Sequence, residues 1–212
     1  MTLYNDFVMT TDFVSRYSEN DPGTTLARAR DYCESAWQWS DDSDYDAAFM
    51  SWSDDRPDVE YDSSADKPLL DRLDQALDWL HAEDPWWWSS SDAVVVLDDS
   101  YQLGHEGWVL DTGTAIHSSD RGGIVDYAYE GDLNWSPIDN ISYHELIHTY
   151  AGEHEQAGIF SDDEATTMAS WNDDGAVEHG CYNYGTDGKE ARIDYNAHCE
   201  RDAVENHVDR YD

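Results

Sequence analysis

Three histidines and one glutamate near residue 150 have the spacing of a metal-dependent hydrolytic site. His144 and His148 are four residues apart, so on a helix they project from the same face. Glu145 follows the first of them, and His154 lies six residues after the second, beyond Gly152. Three imidazoles can bind Zn²⁺ and leave its fourth position open for catalysis. We therefore predict His144, His148 and His154 as zinc ligands and Glu145 as the general base.

The sequence around this pattern predicts the helix that must carry it, over residues 140–151. Leu146 and Ile147 provide an apolar flank, and Gly152 suits the left-handed C′ position that ends many helices. A chance occurrence of two histidines at this spacing is the alternative, but the third histidine and the helical surroundings favour a real site. Glu164 is the main competitor for the third ligand, and the spacing favours His154.

The hydrophobic pattern of the remaining chain predicts an α/β fold with about five strands. Residues 93–97 (AVVVL) are typical of a central strand that is buried on both faces. Residues 67–82 carry leucines at helical spacing after a proline that suits the first turn. Strands are expected at 2–14, 47–52, 93–97, 107–110 and 124–129, and helices at 24–39, 67–82, 140–151 and 199–210. We predict a single domain over 1–212, with an α/β subdomain at 1–153 and a small irregular subdomain at 154–212.

The charge of the chain narrows its environment and its partners. The 212 residues carry 48 acidic and 11 basic side chains, a net charge of −37, yet 13% of them are aromatic. Such aromatic content can form a buried core, so the acidity does not indicate disorder. We interpret it as adaptation to molar salt, where screening mutes self-repulsion. An acidic patch for a basic partner would be clustered, whereas these acids are spread along the chain. The negative net charge also argues against nucleic acid as a partner, because nucleic acid is itself negatively charged.

The cysteines and the N-terminal residues help to predict where in or outside the cell the protein is located. No run of eighteen apolar residues predicts a membrane span, and the first residues lack the features of a signal peptide. Cys181 and Cys199 flank a loop with little apolar material, which is plausible for a disulfide. Cys33 is predicted to be buried and reduced on a helix. We expect a monomeric, extracellular protein that is a mature segment with an added Met1, and an intracellular location is the alternative.

The motif and the order of elements resemble those of the metzincin zinc metalloproteases, in particular the adamalysin-type and snapalysin-type members. Their pattern is HExxHxxGxxH, and this chain differs by carrying Ala151 at the glycine position. The resemblance implies a twisted mixed sheet, an active-site helix, a Met-containing turn at Met168 beneath the metal, and a C-terminal helix. It also implies that an antiparallel edge strand borders the cleft and pairs with extended substrate; its residues would be Gly107, Trp108, Val109 and Leu110.

The function that the resemblance implies is that of a secreted zinc endopeptidase, a hydrolase that acts on protein or peptide substrates in high salt. The alternative is a zinc-binding structural or surface protein without peptidase turnover. Met168 on its own is also typical of core filling. The run Trp86, Trp87 and Trp88 indicates packing at a helix-to-strand junction more than it indicates a substrate platform.

Overall fold

A computed structural model describes most of the chain. The described residues are 1–16, 21–39, 45–62, 65–99, 107–116, 118–127, 138–159, 164–166, 168, 170–171, 177–178, 181–183, 191–192 and 197–211. Five helices and eleven strands lie within them. The helices are α1 (Thr11–Arg16), α2 (Pro22–Trp39), α3 (Pro68–Glu83), α4 (Ile138–Thr149) and α5 (His198–Val208).

The main sheet has five strands in the order β2-β1-β3-β5-β4. Four of them run parallel, and β4 pairs with β5 in the antiparallel direction at the edge of the sheet. The α/β class and the mixed sheet are therefore confirmed. The strands are β1 (Thr2–Met9), β2 (Asp46–Ser51), β3 (Ala93–Asp98), β4 (Gly107–Val109) and β5 (Gly122–Asp126).

Strand β3 separates two hydrophobic cores, because its side chains alternate between the faces of the sheet. Val95 and Leu97 belong to the core that contains residues of α2 and α4. Val94 and Val96 belong to the core that contains residues of α3. Residues 93–97 of β3 are all buried, as the continuous apolar run predicted, and Asp98 at the end of the strand is buried as well.

Helices α2 and α3 are present as the apolar periodicity predicted, and each buries its apolar side. In α2 the predicted apolar side is fully or almost fully buried; it comprises Leu26, Ala29, Cys33, Ala36 and Trp37. In α3 the buried residues include Leu69, Leu73, Leu77 and Leu80, each contributing about 1.5–3 kcal/mol by burial. Pro68 suits the first turn of α3, because an N–H at that position would have no hydrogen-bond partner within the helix. At the other end, Asp84 ends α3 in a left-handed conformation.

The predicted strand over residues 2–14 is wrong in its second half. Strand β1 ends at Met9, and Thr11–Arg16 forms α1. Thr10 causes the change, because its hydroxyl accepts a hydrogen bond from the Phe13 N–H at 3.2 Å and its carbonyl accepts one from the Val14 N–H. This side-chain cap satisfies donors of a helical turn and overrides the strand preference of the β-branched residues.

Between residues 158 and 192 the described chain forms short strands, where the sequence predicted an irregular segment. Each of these strands has two residues, and they form a four-stranded sheet in the order β10-β6-β7-β11 and a two-stranded sheet β8-β9. They are β6 (Gly158–Ile159), β7 (Glu164–Ala165), β8 (Ser170–Trp171), β9 (Val177–Glu178), β10 (Tyr182–Asn183) and β11 (Ala191–Arg192). Within the described part of the chain, every helix is too short or too polar to span a membrane.

Candidate metal centre

Helix α4 carries two of the predicted ligands through the interior of the molecule. It begins at Ile138, two residues before the predicted start, and residues 140–150 are all buried. The helix packs against β5 and α2. Burial on all sides fixes the backbone from which His144 and His148 project, one turn apart on the same face.

The first turn of α4 is held by Asp139. Its carboxylate accepts hydrogen bonds from Arg28 Nε at 2.8 Å and from the Tyr127 hydroxyl at 2.9 Å. A carboxylate in the first turn also interacts favourably with the helix dipole. Burial and the Asp139 charge raise the pKa of Tyr127 well above its usual range, so this hydroxyl remains a donor.

Helix α4 ends at Thr149, two residues before the predicted end, and the left-handed residue that follows it lies one position earlier than predicted. Ala151, not Gly152, occupies the left-handed position, with φ of 73°. The Gly152 N–H donates to the Ile147 carbonyl at 2.9 Å, and the Ala151 N–H donates to the His148 carbonyl at 3.0 Å. These two bonds form a Schellman motif, in which C′ is the left-handed residue. The chain therefore uses an alanine where the metzincin pattern has glycine.

Gly152 packs closely against the end of α4, and its carbonyl contacts a predicted ligand. A Cβ at this position would lie 2.4 Å from Ile147 Cγ2 and 3.0 Å from the Ile147 carbonyl oxygen. The Gly152 carbonyl oxygen lies 2.8 Å from His148 Nδ1, and because a carbonyl only accepts, Nδ1 carries the proton. The lone pair of a neutral His148 is then on Nε2, as metal binding requires.

His154 returns to the helix on a single 3₁₀ turn, His154–Gln156. The Gln156 side chain accepts a hydrogen bond from the Glu153 N–H at 2.9 Å and fixes the start of that turn. His154 Nε2 then lies 3.2 Å from His144 Nε2 and 3.2 Å from His148 Nε2. The third pair, His144 and His148, has its Nε2 atoms 3.1 Å apart.

The three imidazoles form a cluster that could bind a metal ion. In a tetrahedral zinc site with Zn–N bonds of about 2.0–2.1 Å, ligand nitrogens are about 3.3 Å apart. The three Nε2–Nε2 separations are within about 0.2 Å of that value. The His148 tautomer directs a lone pair toward the other two nitrogens, so the donor set fits a first-row divalent cation. His154 is the third member of the cluster.

Glu145 lies at the junction of the helix with the edge of the sheet. It is 5% exposed, as is His144. A Cβ on Gly107 of β4 would lie 2.5 Å from Glu145 Oε1, and a Cβ on Gly123 of β5 would lie 2.9 Å from Glu145 Cβ. Glycine at both positions therefore allows the strands to approach the glutamate. The sequence did not reveal this role, although a glycine beginning a short strand is a signal of close approach.

The predicted edge strand is present but shorter than expected. Gly107, Trp108 and Val109 form β4 at the edge of the sheet, and Leu110 lies just beyond its end. Trp108 is half-buried against the core on the α3 side of the sheet, and Lys67 Nζ lies 4.8 Å from its ring centroid.

Met168 is fully buried in the core cluster that also contains Ile147 and Tyr150. Its backbone N–H donates to Glu200 Oε1 at 3.1 Å, and the Thr166 hydroxyl donates to the same oxygen at 2.8 Å. Glu200, on α5, is itself fully buried. This carboxylate therefore anchors the methionine segment, a role that the sequence analysis did not assign. The two residues adjacent to Met168 lie outside the described residues.

Cysteines 181 and 199 form the predicted disulfide, with their Cα atoms 5.7 Å apart. Cys33 is reduced and fully buried, also as predicted, and burial raises the pKa of its thiol well above the usual range. Such a disulfide fits an oxidising compartment such as the cell exterior.

The tryptophan run packs at the junction before β3, as predicted, with one exception. Trp87 and Trp88 are buried, whereas Trp86 is 79% exposed and contacts Trp52 edge-on. Several histidines without an assigned role are also placed. His207 is buried against the Ala115 carbonyl oxygen, and His81 contacts Trp88. His105, His117 and His179 lie outside the described residues.

Comparisons with known proteins address the fold and leave the family open. No protein-family model matches the sequence, and no curated protein matches it. The protein is similar to a chain in a solved structure described as "Structure of a chaperone-substrate complex", with a TM-score of 0.60 and 11% sequence identity. The match covers 99% of this chain and 34% of that chain, so the protein spans about a third of its length. At this identity the similarity concerns the fold alone.

Proposed function

We propose that the protein is a zinc-dependent endopeptidase of the metzincin type. The observation that supports this most directly is the convergence of three imidazole Nε2 atoms, 3.1–3.2 Å apart, beside the nearly buried Glu145. His144, His148 and His154 would hold the zinc. Three protein ligands, which leave a fourth position open, are typical of catalytic zinc sites, whereas structural sites usually have four.

Each residue of the site has a role in this proposal. Zinc, when bound, supplies Lewis acidity that polarises a carbonyl and lowers the pKa of water. The Gly152 carbonyl holds the His148 tautomer, so the imidazole binds without first losing a proton. Glu145 acts as general base, taking the proton of the attacking water and giving it to the leaving amine nitrogen. Met168 supports the site from the core.

Strand β4 is the proposed docking edge for substrate. It is the last strand of the sheet and begins at Gly107, whose missing side chain leaves room for Glu145. An extended peptide that adds to this edge would gain main-chain hydrogen bonds. Its scissile bond would lie next to Glu145, which explains why the proposed base and the proposed docking strand contact each other.

The environment proposed for this activity is extracellular and rich in salt. The disulfide fits an oxidising compartment. The net charge of −37 fits a medium in which ions screen the surface. Secretion, monomeric state and halophilic origin are parts of the proposal.

Casein hydrolysis in molar potassium chloride tests this function. We expect activity that a chelator removes and that stoichiometric Zn²⁺ restores. Glu145→Gln should keep the metal but reduce the rate about 10²–10⁴-fold. Glu155→Gln is the matched control, since Glu155 is exposed and lies beside a ligand, and it should retain activity.

Two outcomes would contradict the proposal in different ways. Undiminished activity in Glu145→Gln would remove this residue from the mechanism. A wild-type protein that binds one zinc and cleaves no peptide would instead support a structural or surface zinc protein.

A further inference from the structure

A second cluster of metal-binding side chains lies at the start of α5, apart from the three histidines. It consists of Cys181, His198 and Cys199. The cysteines are joined as a disulfide and are partly accessible, and His198 is exposed beside them. The Cys199 N–H donates to Cys181 Sγ at 3.2 Å. The two sulfurs and the imidazole are therefore held together by the fold as well as by the disulfide.

The position of the imidazole is the informative feature. His198 Nε2 lies 3.6 Å from Cys181 Sγ and 3.6 Å from Cys199 Sγ. In a tetrahedral zinc site with Zn–S of about 2.3 Å and Zn–N of about 2.0–2.1 Å, nitrogen and sulfur ligands are about 3.6 Å apart. The imidazole already has the required distance to both sulfurs. His198 Nδ1 lies 3.4 Å from Cys181 Sγ. On metal binding the two sulfurs must therefore separate, and the ring must turn until the Nε2 lone pair points between them.

We propose that reduction of the Cys181–Cys199 disulfide creates a second metal site, in which Cys181, Cys199 and His198 bind a thiophilic divalent cation such as Zn²⁺. The reduction takes two electrons. A phosphine, for example, gives its electron pair to the disulfide and becomes a phosphine oxide with oxygen from water, leaving two thiols. Metal binding then releases the two thiol protons to solvent, because thiolates are the ligands.

The site connects two parts of the proposed active region. The Cys181 N–H donates to the Ala157 carbonyl at 3.1 Å, three residues after His154. Cys199 precedes Glu200, the carboxylate that holds the Met168 segment. In the oxidised protein a covalent bond joins these parts, and in the reduced protein the metal would join them. The second site thus preserves the same connection under reducing conditions.

Cobalt substitution tests the proposal without any measurement of peptidase activity. Co²⁺ bound by thiolates shows a sulfur-to-cobalt charge-transfer band in the near ultraviolet, and the three-histidine site has no thiolate. Protein reduced with a phosphine, desalted without oxygen and titrated with Co²⁺ should develop this band and bind two equivalents. Oxidised protein should bind one equivalent without the band, and Zn²⁺ should displace the cobalt from both.

Two variants assign the ligands. The double variant Cys181→Ser with Cys199→Ser should bind one Co²⁺ without the band in either redox treatment. His198→Ala should form the disulfide normally when oxidised. When reduced, it should bind the second Co²⁺ at least about tenfold more weakly, since even an outer-shell contact is worth that much.

The proposal is overturned if the reduced wild-type protein shows no charge-transfer band with Co²⁺. This holds whether the reduced protein remains folded, as judged by its melting transition, or unfolds. It is equally overturned if His198→Ala binds the second Co²⁺ as tightly as wild type. Neither result bears on the three-histidine site, so the proposed peptidase function stands or falls separately.

Discussion

His148 Nδ1 lies 2.8 Å from the carbonyl oxygen of Gly152, so the turn that ends α4 also orients an imidazole of the candidate metal centre. The same turn directs the chain back toward His154. Its geometry depends on Ala151, whose φ of 73° is in the left-handed region. The same two residues therefore end the helix and orient a ligand. Ala151 adopts the left-handed conformation that ends α4, and the Gly152 carbonyl contacts His148.

Ala151→Gly is expected to stabilise the protein slightly. Relief of the left-handed conformation is worth about 1–2 kcal/mol, and the greater freedom of glycine in the unfolded chain offsets about 0.4–1 kcal/mol of this. A rise of up to about 1.6 kcal/mol in the free energy of unfolding should follow, with zinc affinity unchanged. Denaturant unfolding in molar salt measures it, and a clear loss of stability would contradict the assigned conformation.

Gly152→Ala is the companion variant, with the opposite expectation. The added Cβ would meet Ile147 Cγ2 at 2.4 Å and the Ile147 carbonyl at 3.0 Å. Relieving this overlap should cost about 1–3 kcal/mol and shift the carbonyl that holds His148, so zinc affinity should also fall. An unchanged zinc affinity would show that the Gly152 carbonyl does not determine the orientation of His148.

His154→Ala should sharply reduce zinc binding, because it removes one of three converging nitrogens. Glu164→Gln, which removes the acidic alternative inferred from the sequence, should leave the zinc content intact. Metal analysis after dialysis against a weak chelator compares the two variants. Zinc content that followed Glu164 would contradict the metzincin assignment, although a zinc peptidase of another type could remain.

Asp6→Asn is expected to stabilise the protein at neutral pH. Burial is the largest cause that raises the pKa of Asp6 to about 6, although Trp52 Nε1 donates to its carboxylate at 2.6 Å. In the unfolded chain this pKa is about 3.9, so the folded state favours the protonated form. The stabilising contribution of protonated Asp6 is therefore present below about pH 4 and is lost as the pH rises through about 6.

Thermal melts of the wild type and Asp6→Asn at several pH values measure this difference. Above pH 7 the variant should be more stable by up to about 3 kcal/mol, and the advantage should shrink toward pH 4. Asp54→Asn, which removes one exposed charge, should show no comparable dependence. A constant difference between Asp6→Asn and wild type across this range would show that Asp6 does not titrate as inferred.

Folding and activity should require salt in the molar range. With 48 acidic and 11 basic side chains, the folded chain concentrates like charge. Screening shortens the Debye length from about 10 Å at 0.1 M to about 3 Å at 1 M. Melting temperature should rise along a potassium chloride series from about 0.1 to about 3 M. Sucrose, which does not screen charge, should not replace the salt, and a melting temperature independent of salt would contradict the halophilic interpretation.

The parts of the fold that the sequence predicted are those in which one strong pattern dominates. The β-branched run at 93–97 predicted β3, and the leucine spacing predicted α3. Local hydrogen bonds overrode the pattern elsewhere. Thr10 caps α1 within an apparent strand, and Ala151 adopts the conformation expected of its glycine neighbour. Such caps depend on backbone geometry that residue types alone do not specify.

The candidate site was predictable to the extent that it is local in sequence. His144, His148 and His154 lie within eleven residues, and their nitrogens converge as the spacing indicated. Contacts between distant segments were not predictable. Gly107 approaches Glu145 from another element, and Glu200 reaches the Met168 segment from the last helix. These contacts follow from the tertiary packing, for which one sequence carries no spacing signal.

Strand β3 has a consequence for how the protein opens. It is hydrogen-bonded to β1 on one side and to β5 on the other, with a core on each face. We expect its amide protons to be the last to exchange with deuterium, because their exposure requires the whole sheet to separate. The described strands between residues 158 and 192 have two residues each and should exchange earlier. Helix α4 shares a buried core with β3, so the proposed ligands His144 and His148 should belong to the slowly exchanging part of the molecule, with His154 at its boundary.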